Sequence, residues 1–560
     1  MSTAWPKNLP RSLDYPPVGI DEVLAGATRA FADRIAVRDG EETLTFTELY
    51  DRALRVAAGL RERGIADGDV VALHMPNSLW YIVAYYGTLC AGATVAAVNP
   101  AQPAQVLSGQ FADCGAKAVI THPSSAAVLT DVQALGVRLT LCVPASATAP
   151  APDGYKAAPG TVPFDELLAA EPLTGYRVDP DVVAHLQLTG GTTGRSKAVR
   201  VLHRNLVACV LQVACYRACT LPARDELGGV VLEPVPEALN AYSLPVGEGA
   251  SIAIAPFFHG MGLVTQSITT MLGQTTLLVP GFHPDAFLAD IERHSVTAIT
   301  GSPAMYYALL ASPALDKHDC SCVRMAISGA APIDTTALRK LAEVFPGALV
   351  SEGYGLTEAT MGLTGAAPNP GVPTPVGSVG SALFDTRIEI RGQDGSTVLD
   401  PGADGEVWAK GPQITDGYQG EPELTAEQFV DGWLRTGDIG HLDEHGHLFL
   451  VGRAKDMIIY KGYNVYPGPL EEILCAHPAV AQAVVVGAAS ATAGEIPVAF
   501  VVLRPGVEAA DTLADEVMAH LAAQVAPYQK VRELHMVEAL PLTPTGKILK
   551  TALRDRLAGA

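Results

Sequence analysis

The chain has 560 residues, of which 48% are hydrophobic and 17% are charged, and its formal net charge is −21. This composition is globular and excludes a disordered or collagen-like chain. An excess of acidic over basic residues on this scale also argues against nucleic acid as a general partner, because a polyanion requires a basic surface.

The cysteines and the N-terminus indicate the compartment. Nine scattered cysteines form no C-x-x-C pair, which is typical of free thiols in a reducing environment. The first residues are polar and rich in proline, and no run of about 18 apolar residues occurs. We therefore expect a cytoplasmic protein with neither a signal peptide nor a transmembrane segment.

Short β-branched runs alternate with Ala- and Leu-rich amphipathic stretches along most of the chain. Val70–Leu73, Lys117–Ile120 and Thr297–Thr300 are typical of buried parallel strands, and Phe46–Arg63 is typical of a covering helix. The stretch Val143–Gly160 is crowded with Ala, Pro, Ser and Gly and is expected to be a surface loop. The alternation predicts an α/β fold whose large N-terminal domain contains more than one sheet.

The C-terminal part has a different pattern. Pro478–Leu503 contains the apolar runs VVVG and VAFVVL, and Thr512–Val525 has helical periodicity. We expect a small α+β module that begins shortly after Gly452. The predicted domains are residues 1–452 and residues 453–560.

The string LTGGTTGRSKAV, at Leu188–Val199, is the sharpest local feature. Its glycines allow the backbone to bend around an anion, and its hydroxyl and N–H groups and a lysine supply donors and charge. It is not a Walker A loop, because Arg195 and Ser196 separate Gly194 from Lys197. By composition alone, a flexible hairpin tip would fit equally well.

The part TGGTTGRSK resembles the phosphate-binding signature of the adenylate-forming (ANL) superfamily, which includes acyl-CoA synthetases (AMP-dependent carboxylic acid:CoA ligases). Seven further strings similar to motifs of that family follow in the family's order: APFFHGMG, SGAAPI, SEGYGLTEAT, GWLRTGDIG, VGRAKDMII, KGYNVYP and PLTPTGKILK. Gly190, Ser196 and Ala198 depart from the more usual serine, proline and glycine. The glycine is common in fatty-acyl and aryl-acid members of that family, and the changes at Ser196 and Ala198 remove no donor that a phosphate needs.

The resemblance implies a site for ATP and Mg²⁺. Tyr354 would stack on adenine, Thr357 would hydrogen-bond the α-phosphate, and Glu358 would ligate the metal. Asp438 would accept hydrogen bonds from the ribose hydroxyls, with Arg453 contacting ribose and phosphate. The remaining nucleotide-binding residues implied by the family are Thr189, Gly190, Gly191, Thr192, Thr193, Gly194, Lys197, Gly329, Ala330, Ala331, Glu352, Gly353 and Gly355.

The resemblance also implies residues for catalysis and for a moving lid. His259 would lie near the reacting carboxylate, and Lys547 would be the catalytic lysine of the C-terminal motif. Lys455 falls at the family's hinge position. Coenzyme A would approach the loop formed by Lys461, Gly462 and Tyr463. Taken singly, such residues are more often a core histidine and ordinary surface charges.

The implied reaction joins a carboxylic acid to ATP with release of pyrophosphate and then passes the acyl group to the thiol of coenzyme A. No acidic residue stands in PFFHGMGL to pair an ammonium, so a fatty or aromatic acid is expected rather than an amino acid. A carrier protein in trans or an amine remains an alternative acceptor. Candidates for an apolar acyl pocket, each of which would fit the core equally well, are Phe257, Phe258, Met261, Met305, Tyr306 and Met361.

Overall fold

The computed structural model of the chain describes residues 5–129, 136–189, 197–490, 492–510, 512–542 and 548–558. In chain order its first elements are α1 (Ile20–Phe31), β1 (Ile35–Asp39), β2 (Glu42–Thr45), α2 (Phe46–Glu62), β3 (Val70–His74), α3 (Leu79–Cys90), β4 (Thr94–Ala97), α4 (Ala104–Cys114), β5 (Ala116–Thr121), β6 (Leu139–Cys142), β7 (Val162–Pro163), α5 (Asp165–Leu168), β8 (Val183–Thr189), β9 (Lys197–Leu202), α6 (His203–Ala218), β10 (Thr220–Arg224) and β11 (Val230–Pro234).

The next elements are β12 (Ala250–Ala253), α7 (Gly260–Met271), β13 (Thr275–Leu278), α8 (Pro284–His294), β14 (Val296–Gly301), α9 (Pro303–Leu310), β15 (Met325–Ser328), α10 (Thr335–Val344), β16 (Leu349–Glu352), β17 (Thr364–Gly365), β18 (Ser381–Ala382), β19 (Arg387–Arg391), β20 (Gly405–Lys410), α11 (Pro422–Gln428), β21 (Phe429–Val430), β22 (Trp433–Leu442) and β23 (Leu448–Arg453). The last are β24 (Ile458–Tyr460), β25 (Tyr463–Val465), α12 (Pro467–Cys475), β26 (Val480–Ser490), β27 (Gly494–Leu503), α13 (Leu513–Ala522), β28 (Glu533–Met536) and α14 (Lys550–Ala558).

Two large sheets form the N-terminal part. Within the described residues each has seven strands, in the orders β16-β15-β14-β12-β13-β1-β2 and β7-β6-β5-β3-β4-β8-β9. Neighbouring strands are parallel except at one edge of each sheet, where β1 pairs with β2 and β8 pairs with β9 in antiparallel fashion. Helices such as α2 and α3 pack together over these sheets. The predicted α/β fold is confirmed.

Local sequence explains where these elements begin and end. Helix α2 starts at a capping box in which the Thr45 hydroxyl accepts from the Glu48 N–H and the Glu48 carboxylate accepts from the Thr45 N–H, at 3.1 and 2.8 Å. It ends at Glu62, one residue earlier than expected, because Arg63 leaves the helical backbone conformation. The three predicted strands are β3, β5 and β14, and Val143–Gly160 contains no helix or strand.

Besides the two-stranded sheets β10-β11 and β17-β18, the described residues contain two five-stranded sheets. The first has the order β19-β20-β22-β21 with β23 beside β22, and the second has the order β25-β24-β27-β26 with β28 beside β27. The chain leaves β23 at Arg453 and makes a single turn at Ala454–Asp456 before entering the second of these sheets. Helices α12 and α14 pack on β26. The smaller C-terminal α+β domain is therefore confirmed, and the boundary after residue 452 stays a prediction.

Two further observations concern the thiols and the helices. All nine cysteines are free, and six of them are buried. In the part of the chain that the structure describes, no helix combines the length and hydrophobicity that a membrane crossing requires.

Candidate active site

The carboxyl ends of β14, β15 and β16 meet at one edge of the first sheet. The Gly329 N–H donates to the Gly301 carbonyl at 3.0 Å, and the Gly353 N–H donates to the Ser328 carbonyl at 2.9 Å. The turn that follows β15 passes through Ala330 with a φ of +68°. Ligands of open α/β sheets bind outside the carboxyl ends of the strands. The small residues expected beside adenine thus lie at an edge suited to a nucleotide.

Glu352 is the last residue of β16 and lies at the same edge of the sheet. It is 7% exposed, and its Oε1 accepts a hydrogen bond from the Ile333 N–H at 3.2 Å, two residues beyond half-buried Ala331. Burial, with a smaller contribution from the nearby carboxylates of Glu472 and Asp334, raises the pKa of Glu352 to about 7, and the hydrogen bond from Ile333 acts in the opposite direction. Glu352 is therefore a carboxyl group that is partly protonated at neutral pH.

Buried Tyr354 and Asp438 form a polar cluster with Arg453, whose side chain is exposed. The Tyr354 hydroxyl donates to Asp438 Oδ2 at 2.7 Å, and Arg453 Nε lies 3.0 Å from Asp438 Oδ1. Strands β22 and β23 create the ion pair, because their register places Asp438 opposite Arg453. Burial raises the pKa of Tyr354 well above its usual range. Each carboxylate oxygen retains a lone pair, so Asp438 can still accept hydrogen bonds from a diol.

Close packing and hydrogen bonds constrain the backbone around Glu358 in the loop after β16. A Cβ on Gly355 would lie 1.7 Å from the Met361 carbonyl oxygen, so only glycine fits there. The Glu358 carbonyl accepts from both the N–H and the hydroxyl of Thr415 at 3.0 Å. Thr357 begins the single turn Thr357–Ala359, where its carbonyl accepts from the N–H of Thr360 at 2.9 Å.

A second polar cluster joins Glu358, Tyr418 and Lys197. The Tyr418 hydroxyl donates to Glu358 Oε1 at 2.7 Å, and Lys197 Nζ lies 5.6 Å from the centroid of the Tyr418 ring. The backbone of β9 brings them together, since the Arg200 N–H donates to the Gly417 carbonyl at 2.9 Å. Sequence reasoning missed Tyr418, and the only local signal for it is the Gly-Tyr pair in TDGYQG.

The glycine- and threonine-rich string connects the antiparallel strands β8 and β9, and the structure describes its two ends. Thr189 closes β8 and pairs with Lys197 at the start of β9. Six predicted site residues lie outside the described residues. They are the phosphate-binding residues Gly190, Gly191, Thr192, Thr193 and Gly194 and the catalytic Lys547. Their roles stay predictions.

Lys455, the proposed hinge residue, lies two residues after Arg453 in the single turn Ala454–Asp456. Desolvation lowers its pKa, and the positive charges of Arg453 and Lys197 lower it further, while Asp456 and Asp438 act in the opposite direction. Asp456 in turn accepts a hydrogen bond from Arg554 at 2.8 Å. The charges of the Asp438–Arg453 pair and of Lys197 therefore both influence the pKa of the proposed hinge residue.

The predicted acyl residues near α7 face the same edge. His259 caps α7, and its Nδ1 accepts from the Met261 N–H at 3.3 Å, so the ring carries its proton on Nε2. The Phe258 carbonyl accepts from Gln187 Nε2 at 2.6 Å. The Met261 sulfur lies 3.4 Å from the position of a Cβ on Gly329. His259 and Met261 are therefore adjacent to the expected nucleotide position.

The other acyl candidates divide into two groups. The Met361 sulfur accepts a long contact of 3.8 Å from the Thr265 hydroxyl and lies near α7. Met305, Phe257 and Tyr306 are buried in the core, where the Tyr306 hydroxyl donates to the Ile327 carbonyl at 3.2 Å. The assignment of all these residues to an acyl pocket stays a prediction.

The loop expected to approach coenzyme A has an unusual backbone. Lys461 has a φ of +49° and Gly462 a φ of +83°, both in the left-handed region. A Cβ on Gly462 would touch nothing within 4 Å. Tyr463 is 56% exposed and stacks on Tyr528 with ring centroids 4.7 Å apart. The loop therefore presents an open face to solvent.

The site residues fit a magnesium ion that arrives with a nucleotide. Within the described residues no cluster of three or more His, Cys, Asp or Glu side chains could hold a metal alone. Mg²⁺ usually takes one or two carboxylates together with phosphate oxygens and water. Tyr418 engages one oxygen of Glu358, and no described residue hydrogen-bonds the other. One carboxylate oxygen is thus available to such an ion.

The sequence also matches known families over most of its length. Residues 24–419 match the model of the AMP-binding enzyme family, and residues 469–547 match the AMP-binding enzyme C-terminal domain. The chain belongs to the AMP-binding enzyme family. The predicted resemblance to adenylate-forming enzymes is therefore confirmed.

Individual members of the AMP-binding enzyme family align with nearly the whole chain. It is 32% identical to a long-chain-fatty-acid–CoA ligase of Bacillus subtilis (98% of this chain, 97% of that protein). It is 34% identical to a 4-coumarate–CoA ligase of Oryza sativa subsp. japonica (94% of this chain, 92% of that protein). The ATP-bound structure of MatB from Rhodopseudomonas palustris superposes with a TM-score of 0.81 at 29% identity, covering 96% of this chain and 99% of the other.

Proposed function

We propose that this AMP-binding enzyme is an AMP-forming acid–thiol ligase, which activates a carboxylic acid with ATP and transfers the acyl group to coenzyme A. The observation that carries the proposal is the position of Tyr418, whose hydroxyl donates to Glu358 at 2.7 Å and whose ring centroid lies 5.6 Å from the Lys197 ammonium. A lysine suited to phosphate and a carboxylate suited to a metal thus lie on either side of one tyrosine. The similarity to ligases named for fatty acid and for coumarate supports the same reaction class.

In the first half-reaction a carboxylate oxygen attacks the α-phosphorus of ATP, and pyrophosphate leaves. Two anions must meet, so the protein contributes position and positive charge rather than a nucleophile. Lys197 would stabilise the departing phosphates, and Lys547 would lie between carboxylate and α-phosphate. Glu358 would hold Mg²⁺, which supplies charge neutralisation on the phosphate oxygens.

Further residues would bind and orient the nucleotide. Asp438 accepts the ribose hydroxyls, the Tyr354 ring supports adenine, and the Thr357 hydroxyl donates to the α-phosphate. His259, with its proton on Nε2, can donate a hydrogen bond to the carboxylate that reacts.

In the second half-reaction the thiolate of coenzyme A attacks the acyl carbonyl, and AMP leaves. We propose that the C-terminal domain turns about Lys455 between the two steps, withdrawing Lys547 and presenting Lys461–Tyr463 to the pantetheine. The left-handed backbone at Gly462 and the open space around it suit a loop that a second substrate passes closely.

The acid is a fatty or aromatic carboxylic acid, because residues 257–265 near His259 contain no acidic side chain to pair an ammonium. A carrier-protein thiol or an amine is the alternative acceptor. We also place the enzyme in the cytoplasm, where its nine free thiols would stay reduced.

The test combines purified protein, ATP, Mg²⁺ and a panel of fatty and aryl acids, with and without coenzyme A, and identifies the products by mass. The proposal predicts AMP, pyrophosphate and an acyl-CoA. Acyl-adenylate that accumulates regardless of coenzyme A would favour the alternative acceptors. The absence of acid-dependent AMP across the panel would contradict the ligase assignment.

A further inference from the structure

Thr360 has an unusual backbone conformation two residues after the proposed metal ligand Glu358. Its φ of +61° and ψ of −53° lie outside the regions that residues with a Cβ normally occupy, and a β-branched side chain makes the strain worse. The Met361 N–H donates to the Ala359 carbonyl at 2.6 Å across Thr360. These angles and this hydrogen bond define a γ-turn with a positive φ, which is a rare and strained conformation.

A single short segment of chain holds this γ-turn from one side. The Thr360 hydroxyl donates to the Gln413 carbonyl at 2.7 Å, and Thr360 is 1% exposed. The N–H and the hydroxyl of Thr415 both donate to the Glu358 carbonyl at 3.0 Å. Gln413 Nε2 donates to the Gly362 carbonyl at 3.3 Å. The segment therefore hydrogen-bonds the loop before, at and after the centre of the turn.

Helix α6 fixes this segment in turn. Asn205, in the first turn of α6, donates from Nδ2 to the carbonyls of Pro412 and Ile414, both at 2.9 Å. Farther along the same helix, Gln212 Nε2 donates to the Gln413 carboxamide oxygen at 3.2 Å. The side chains that make these contacts are buried. The support of the γ-turn therefore rests on a buried helix rather than on a surface loop.

Two glycines approach the turn closely from other directions. A Cβ on Gly355 would lie 1.7 Å from the Met361 carbonyl oxygen, and a Cβ on Gly260, at the start of α7, would lie 3.5 Å from the Thr360 carbonyl oxygen. A strained conformation persists only where its surroundings over-determine it, and such residues cluster at active sites. The close packing and the hydrogen bonds together explain why the strain at Thr360 is retained.

Resting on the proposed ligase function, we propose that Thr360 is a positioning residue for the metal ligand Glu358. The γ-turn follows Glu358 directly and sets the direction of its backbone, and the hydrogen bond to Gln413 keeps the turn from relaxing. Tyr418 holds one oxygen of the Glu358 side chain, whereas Thr360 holds the backbone that carries this side chain. A relaxed turn would misdirect the carboxylate that Mg²⁺ requires.

Three substitutions separate the hydroxyl of Thr360 from its backbone strain. Thr360→Ser keeps the hydroxyl and therefore the hydrogen bond to Gln413. Thr360→Val keeps the β-branched shape and the strain but removes this hydrogen bond, so the turn should relax. Thr360→Gly also lacks the hydroxyl, but glycine adopts a positive φ without strain. The turn should therefore be retained better in the glycine variant than in the valine variant.

Calorimetric titration of ATP into the full chain measures the effect on metal binding without turnover, because no acid is added. Each variant is titrated once with Mg²⁺ and once with EDTA. We expect Thr360→Val to lower the ATP affinity about tenfold or more in Mg²⁺ and less than about twofold in EDTA, since losing a residue that orients a metal ligand usually costs about 10–100-fold in metal affinity. Thr360→Gly should lose about threefold in Mg²⁺, and Thr360→Ser should stay within about twofold of wild type.

Thr94→Val is the matched control. The Thr94 hydroxyl also donates to a backbone carbonyl, that of Val183, at 2.8 Å, and Thr94 is 3% exposed. Thr94 is the first residue of the parallel strand β4, whereas ligands bind beyond the carboxyl ends of such strands. The control therefore removes an equivalent buried hydrogen bond outside the site. Its ATP affinities should equal those of the wild type in both titrations.

The outcomes separate a positioning role from a structural one and from failure of the ligase proposal. A loss in Thr360→Val that is equal in Mg²⁺ and EDTA, wild-type affinity of this variant in Mg²⁺, or equal losses in the valine and glycine variants would overturn the role given to Thr360. If the valine variant does not fold, the loss in Thr360→Gly must still be confined to Mg²⁺. Failure of the ligase proposal would instead appear as wild-type protein that forms no acid-dependent AMP across the acid panel.

Discussion

The Tyr418 hydroxyl donates a 2.7 Å hydrogen bond to the Glu358 carboxylate, and the same ring lies 5.6 Å from the Lys197 ammonium. Tyr418 thus fixes one oxygen of the proposed metal ligand and stands close to the lysine proposed to bind phosphate. Burial beside that carboxylate raises the pKa of Tyr418 far above its usual range, so it remains a donor throughout the working pH range. Tyr418 is best described as a positioning residue.

Tyr418→Phe should therefore weaken the response to Mg²⁺. The loss of a hydrogen bond to a charged group is worth about 1.5–3 kcal/mol, so we expect the Mg²⁺ concentration for half-maximal adenylation to rise about tenfold. Titration of Mg²⁺ at saturating ATP measures this. Tyr242→Phe, at a half-buried tyrosine packed on the core, is the control. An unchanged Mg²⁺ dependence would contradict the role given to Tyr418.

Two substitutions at Tyr354 can measure the contributions of its ring and of its hydroxyl to ATP binding separately. Tyr354→Phe keeps the ring and should raise KM for ATP only about threefold, because Arg453 still holds Asp438 at 3.0 Å. Tyr354→Leu removes the aromatic surface, and we expect an increase of about tenfold or more. Steady-state kinetics with ATP as the varied substrate distinguish them. Equal effects of the two substitutions would argue against stacking on adenine.

Glu352 should make the stability of the protein depend on pH. Its folded-state pKa of about 7 lies above the ordinary value of 4.5, so between these pH values the folded protein keeps a proton that the unfolded chain loses. Stability therefore falls as the pH rises from 4.5 to 7, by about 3 kcal/mol at most for this group. Above pH 7 the loss is complete.

Glu352→Gln removes this ionisation and retains an oxygen for the Ile333 N–H. We expect the variant to have the higher Tm at pH 8 and little difference from wild type at pH 5. Thermal denaturation at both pH values measures the effect, with Glu343→Gln at an exposed glutamate as control. A Tm difference independent of pH would contradict the assignment.

Two substitutions in the C-terminal domain should have reciprocal effects. Lys547→Ala should abolish acyl-adenylate formation yet still convert supplied acyl-adenylate to acyl-CoA. Gly462→Ala should leave the adenylation rate within about twofold of the wild-type rate, because the added methyl contacts nothing in the free protein. It should slow the thiol step, because the methyl strains the left-handed backbone of the loop. Separate assays of each half-reaction test this. Equal loss of both steps in either variant would contradict the two-step lid model.

Local patterns were sufficient to predict much of the fold. The predicted strands and helix α2 follow from runs of apolar residues and from the Thr45–Glu48 capping box, which are properties of neighbouring residues. The sheet orders do not follow in this way, because β1 lies between β13 and β2 although β12 and β13 come more than 200 residues later in the sequence. Such pairings depend on tertiary packing.

The candidate site shows the same division. The Gly/Thr string and the loop around Glu358 could be singled out from sequence, since their chemistry is carried by consecutive residues. Tyr418 could not, because tertiary contacts bring it to Glu358: the pairing of β9 with residues 417–419 and the hydrogen bonds from Thr415 to the Glu358 carbonyl.

If the carboxylate attacks the α-phosphorus of ATP, one carboxylate oxygen must end in AMP, and an isotope experiment tests this most directly. An accepted acid labelled with ¹⁸O in both carboxylate oxygens is converted with ATP, Mg²⁺ and coenzyme A, and the nucleotide and phosphate products are analysed by mass. The account predicts one ¹⁸O atom in each AMP and none in pyrophosphate. Label in phosphate together with ADP formation, or unlabelled AMP, would contradict it.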